Sequence, residues 1–232
     1  MITANCRDRF TAADFDFVVK TLSRSPGEEV SLVDLLADND SRDSILDHPR
    51  LVEQVLSKSA ALSISAQLYF YVLIRHVLKE TGLKDRALSD YVASLLENFS
   101  HTARMRSPAD GHSAPIQYVS DMLIALQNAS PAQAFLIRAH VANYSLFLTG
   151  IFPETVQRRS ERGGPDVSFY EEMGRRNFKA AAQHSFARSA SLTRIYEVLA
   201  EAFREVRLAL NRVADTLLHL DDAHAPSLIT IP

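Results

Sequence analysis

Apolar residues recur along most of this chain at spacings of three and four, and the residues that interrupt helices fall between the periodic stretches. Gly27, Gly82, Gly111, Gly150, Gly163 and Gly164 stand at such breaks, as do Pro26, Pro49, Pro108, Pro115, Pro131, Pro153 and Pro165; only Gly174 sits inside a segment. No alternating run bounded by turn dipeptides suggests a strand. The pattern predicts an all-α fold, a multi-helical bundle of about eight to ten helices. Thr11 followed by Asp14 reads as a helix start, running to about Arg24. Short helices follow at 31–38 and 49–58, then longer ones at 61–80, 85–104 and 116–128. Ser130-Pro131-Ala132-Gln133 has a hydroxyl at the cap, proline at the first helical position and an amide to close a capping box, and opens a helix at 131–149. Pro153 starts a short helix leading to an exposed loop, and Ser168 with Glu171 starts another that reaches about Arg188. The last helix, 191–220, carries Leu192, Ile195, Leu199, Phe203, Val206, Leu210, Val213, Leu217 and Leu220. Spacings averaging about 3.5 residues mark a long helix packed along a neighbour, in the same chain or in a second copy as a homodimer.

Two helices stand apart because they are almost free of charge. In Ala66–Val77 the charged or titratable residues are Arg75 and His76, and between Ser130 and Glu154 the only charged residue is Arg138, with His140 nearby. Helices apolar all round are enclosed on all sides, so the expected architecture has two central helices, at 61–80 and 131–149, wrapped by amphipathic ones. A guanidinium among apolar side chains must meet a carboxylate or an anionic ligand. One reading gathers Tyr69, Arg75 and His76 with Arg138, His140, Asn143 and Tyr144 into a pocket for a small carboxylate or phosphate. The other pairs each arginine internally with Glu80, Asp90, Asp121, Glu154 or Glu171.

At 232 residues, 47% apolar and 23% charged, the chain has the composition of a globular protein that buries a real core. The polar linker at 105–115 reads either as a loop within one domain spanning 1–232 or as a boundary. A net charge of −3 and a pI near 6.2 argue against dedicated nucleic-acid binding. Charge is uneven, however: residues 1–60 hold 7 basic and 11 acidic side chains, and residues 155–195 hold 8 basic and 4 acidic. Arg158, Arg159, Arg162, Arg175, Arg176 and Lys179 form a basic surface, read as solvated or as meeting the acidic first 60 residues of the same or another subunit. Cys6 is the only cysteine and the N-terminus carries Arg7, Asp8 and Arg9, which is the expectation for a cytoplasmic protein without a signal peptide. No uncharged run reaches the length of a membrane span.

Catalytic signatures are missing. There is no Gly-x-Gly-x-x-Gly, phosphate-binding Gly-x-x-x-x-Gly-Lys, Gly-x-Ser-x-Gly or His-Glu-x-x-His, and no glutamate has histidine three residues later. No metal ligand set and no cofactor are predicted. The segment Asn143-Tyr144-Ser145-Leu146-Phe147-Leu148-Thr149-Gly150-Ile151-Phe152-Pro153-Glu154, with the arginine-rich stretch and Phe169-Tyr170-Glu171-Glu172 downstream, resembles a pattern in uncharacterised bacterial all-helical proteins. The resemblance covers about 30 residues and implies a bacterial origin without an activity. The functional expectation is a non-catalytic helical binding or protein-interaction module. The alternatives are a small-anion sensor and, second, a helical enzyme with haem or a metal, since one axial His needs no spacing.

Overall fold

The structure is a computed structural model that describes residues 1–57, 63–100 and 119–221; the 105–115 linker lies outside them. Among the described residues there are helices and no strand, the all-α fold expected from the periodicity. A 3-10 turn at Arg7–Arg9 precedes α1 (Ala12–Leu22), α2 (Pro26–Ala37), α3 (Asn39–Leu46) and α4 (Pro49–Val55). Then come α5 (Ala66–Glu80), α6 (Arg86–Phe99), α7 (Val119–Leu126), α8 (Pro131–Ile151) and α9 (Pro153–Ser160). The chain continues with α10 (Val167–Ala182), α11 (Ser185–Ser189), α12 (Thr193–Glu201) and α13 (Phe203–Asp221).

Local chemistry explains most boundaries. The capping boxes of Thr11 with Asp14 and Ser130 with Gln133 both form. Pro26 and Pro49 open their helices at the position where a missing N–H is harmless. Pro153 follows the end of α8 directly, and the helix axis turns by 96° into α9. Among the described residues there are thirteen helices, roughly in line with the eight to ten expected: the stretches expected at 168–188 and 191–220 each divide, and α3 lies where no helix was expected. Asp38 ends α2 and caps α3, accepting the Ser41 N–H at 2.8 Å. Helix α10 is capped by Asp166, which accepts the Phe169 N–H at 2.9 Å; Ser168, expected as the cap, donates its hydroxyl to the same carboxylate. His184 separates α10 from α11. The long C-terminal helix breaks at Ala202, and the Phe203 ring that follows packs on Gly174 of α10.

A Cβ at Gly174 would stand 2.1 Å from Phe203 Cε2, and one at Gly150 would stand 2.7 Å from Leu210 Cβ. Gly150, taken as a helix end in the sequence, is therefore inside α8 and sets its approach to α13. Because Phe203 is fully buried and its ring has nowhere to retreat, Gly174→Ala is expected to destabilise the fold by about 3 kcal/mol. A shift of the denaturation midpoint at constant slope measures it, and a loss below about 1 kcal/mol would show that the α10–α13 contact yields easily.

The core has three enclosed helices, not two. Helix α5 is buried from Leu68 to Arg75, and α8 is buried over most of its length from Phe135 to Ile151. Opposite sides of α8 enter two apolar clusters: Phe135, Ala142 and Leu146 join the main one, and Ile137, Val141 and Leu148 join a smaller one with Met122, Val156 and Tyr170. That double burial accounts for its lack of charge. The third is α6, buried continuously from Leu88 to Glu97 although its sequence reads as amphipathic. Helix α5 packs on α6, α8 packs on α10 and α13, and α13 reaches back to α5. On α13, Phe203, Val206, Leu210 and Val213 are buried by these contacts within the chain. No single helix among the described residues is long and apolar enough to cross a membrane.

Candidate functional site

The shared pocket between the two apolar helices does not form. Helices α5 and α8 are not packed face to face; α6 and α13 lie between them. Arg75 is gripped by Asp47, with Nε and Nη2 donating to its two carboxylate oxygens at 2.8 and 3.0 Å, and Nη1 donates to the Lys84 carbonyl at 2.7 Å. Asp47 was not among the expected partners; it lies just past α3, whose position no periodicity specifies. His76 lies near the surface with Nε2 3.3 Å from Glu80, which also accepts from Arg212 of α13 at 3.0 Å. Tyr69 is buried edge-on to Phe70. On α8, Asn143 accepts the hydroxyl proton of fully buried Tyr91 at 2.9 Å. His140 meets the edge of Phe99 and stacks with Tyr144. Arg138 is half-buried and donates to Asn177 of α10 at 3.4 Å, with no carboxylate in ion-pair reach among the described residues.

Charge gathers instead under the N-terminal turn. Asp90, Ser94 and Glu97 recur at helical spacing on α6, and this polar stripe is roofed by residues 6–9. The Arg7 backbone N–H donates to Asp90 at 2.8 Å, and Arg9 Nη2 meets Glu97 at 3.2 Å. Arg7 Nη1 also reaches Asp43 at 2.6 Å, and its guanidinium lies 5.6 Å over the Tyr71 ring centre. Arg86 bridges Asp43 and Asp47 at 3.5 Å each, and Lys79 meets Asp47 at 3.2 Å. The acidic N-terminal third thus pairs with Arg7, Arg75, Lys79 and Arg86, not with the basic last third. Burial pushes the Asp90 carboxyl up, against the pull of Arg7. Cys6, wholly buried here, donates its thiol to the Gln67 carbonyl at 3.3 Å, and burial pushes that thiol up to about 12, which keeps it protonated and unreactive. The signal for this network was present in the spacing of Asp90, Ser94 and Glu97, but only the fold shows that the stripe faces inward.

The six basic surface residues divide into two groups. Arg175, Arg176 and Lys179 line a groove of about 490 Å³ between α10 and α12. Glu172, Glu197 and Glu201 share it, so three cations meet three carboxylates there, and Arg176 is ion-paired with Glu172 while Arg175 Nε donates to the Ala200 carbonyl at 3.2 Å. The groove has no net attraction for an anion. Arg158, Arg159 and Arg162 are exposed at and just past the end of α9 and make no ion pair among the described residues; Arg159 interacts with Tyr170, whose ring meets that of the exposed Phe169.

The most open apolar surface was not singled out by the sequence. Helix α2 packs chiefly on α1 and α3 and buries Leu36, leaving Val30 65% and Val33 56% exposed, with Leu35 exposed on another side. Residues 25–41 contain five carboxylates (Glu28, Glu29, Asp34, Asp38 and Asp40) and no basic residue. None of the five makes an ion pair among the described residues. Val30, Val33 and Ala37 recur at three and four along α2, of which the helix expected at 31–38 leaves out Val30. Among the described residues no three His, Cys, Asp or Glu side chains gather as ligands for a metal ion. No known family model matches the chain, no curated protein matches it in sequence, and no solved structure matches it in fold.

Proposed function

We propose that this chain is a non-catalytic protein-interaction module that binds through the outer face of α2. The observation that supports this reading is the pair Val30 and Val33, held outward on a helix whose carboxylates Glu28, Glu29 and Asp34 make no ion pair among the described residues. A monomer that only needed to fold would gain by placing these valines inward or by replacing them with polar residues. Two polar groups proposed for an interior site are, by contrast, held by other side chains: Arg75 by Asp47 and Asn143 by Tyr91.

Photo-crosslinking tests the reading. With p-benzoyl-phenylalanine replacing Val33 in the full chain, irradiation of cells that make the protein is expected to give a discrete adduct, lost when Val30→Glu is added. The same group at Glu53, exposed on α4, serves as control. An absence of adduct from position 33 beyond that from position 53 would overturn the proposal.

A further inference from the structure

We infer that the partner of α2 is a second copy of this chain, docked head to tail so that the acidic α2 face of one copy meets the arginine corner at the end of α9 in the next. The inference rests on the reading of α2 as a docking face and names what it docks. The two faces are complementary in charge: five carboxylates without a base over residues 25–41, against Arg158, Arg159 and Arg162 with the single acid Glu161 over residues 158–162. Each face also has an apolar anchor, Val30 and Val33 on one and Phe169, 39% exposed, on the other. Within one chain they do not meet, because α2 packs on α1 and α3 while α9 packs on α8 and α10. A symmetric pairing of α2 with α2 would set the carboxylates Glu29 and Asp34, which flank the valines, against their own copies, and a pairing of the arginine corners would repel in the same way. Opposite faces are therefore the pairing that charge permits, and two different faces on one chain make a heterologous interface that repeats from copy to copy. Arginine and aromatic side chains against an apolar strip are the composition that interface centres favour.

Sedimentation of the purified full chain tests this. The weight-average mass is expected to rise with concentration, and the association constant to fall at least about tenfold when ionic strength is raised from about 0.05 to about 0.5 M. Val30→Glu/Val33→Glu removes one face and Arg158→Glu/Arg162→Glu the other; all four side chains are exposed, and Arg158→Gln/Arg162→Gln provides a version without reversed charge. Each variant alone is expected to be monomeric, whereas an equimolar mixture retains one intact α2 face and one intact arginine corner and forms a species of two chains that does not grow. A wild-type chain that stays monomeric up to its solubility limit overturns the inference, as does a mixture that fails to pair. If the Val33 adduct instead has a mass other than twice that of the chain, the second copy is wrong while the docking role of α2 stands; no adduct at all removes both.

Discussion

Asp14→Ala is expected to lower the stability of the fold by about 4 kcal/mol. The carboxylate is almost completely buried and makes no ion pair among the described residues. Hydrogen-bond donors at the starts of two helices hold it. The Thr11 backbone N–H and hydroxyl donate to Oδ2 at 2.7 and 3.0 Å, closing the capping box of α1. From the far end of the N-terminal third, the Ser65 N–H donates to Oδ1 at 2.7 Å and the Ser65 hydroxyl to Oδ2 at 2.7 Å. Ser65 is itself the cap of α5, accepting the Leu68 N–H at 3.1 Å. One side chain thus fixes where α1 and α5 begin and how they sit together. Alanine would leave two backbone donors without an acceptor away from water and weaken two caps of about 1 kcal/mol or more each. Asp14→Asn keeps the shape and one acceptor oxygen but turns an NH2 toward donors, so about half the loss is expected. Chemical denaturation with the slope unchanged measures both, and a loss below about 1 kcal/mol for alanine would mean that the helix starts find other acceptors.

The two roles of Asp14 show where sequence reasoning reaches and where it stops. Thr11 with Asp14, and Ser130 with Gln133, lie three residues apart, and local spacing suffices to identify them as caps. Ser65 lies 51 residues from Asp14 in the chain, and nothing in either neighbourhood specifies that meeting. The same limit governs the interior. Helix α8 is legible as enclosed because it is almost free of charge on every side, whereas α6 gathers Leu88, Val92, Leu95, Leu96 and Phe99 on one side and carries Asp90, Ser94 and Glu97 as a polar face. The face exists, but residues 6–9 cover it and supply the cations. Periodicity reports that a stripe is polar; it does not report whether water or another segment satisfies it. The candidate pocket failed for the same reason. Arg75 needed a carboxylate, as a buried guanidinium must, and found Asp47, 28 residues upstream at the end of a short helix. The six basic residues are exposed, and their division into a neutralised groove and an open corner depends on how α10 meets α12.

Arg75→Met tests that ion pair, with an expected loss of about 3 kcal/mol near pH 7. Removing the guanidinium leaves the Lys84 carbonyl without its donor and strips two charge-assisted hydrogen bonds from Asp47. The loss stays at the lower end for a buried pair because Lys79 and Arg86 still reach Asp47 at 3.2 and 3.5 Å. Adding Asp47→Leu is expected to recover part of it, since the uncompensated carboxylate is then gone. The pH dependence separates electrostatics from packing. Burial opposes ionisation of Asp47, but hydrogen bonds from Arg75 and Lys79 prevail and hold its carboxyl below the usual range. A depressed carboxylate contributes stability that is complete above the unfolded value of about 4 and is lost as pH falls through the folded one. Asp90 works in the opposite sense: burial raises its carboxyl, so the folded state takes up a proton before the unfolded chain does, and acid relieves rather than removes stability there. Because Asp90 is common to both proteins, its contribution cancels in the difference between wild type and Arg75→Met. That difference is expected to be greatest above about pH 5 and to shrink steadily toward about pH 2. A gap that holds constant across the whole range would assign the role of Arg75 to the packing of its aliphatic stem, not to its charge.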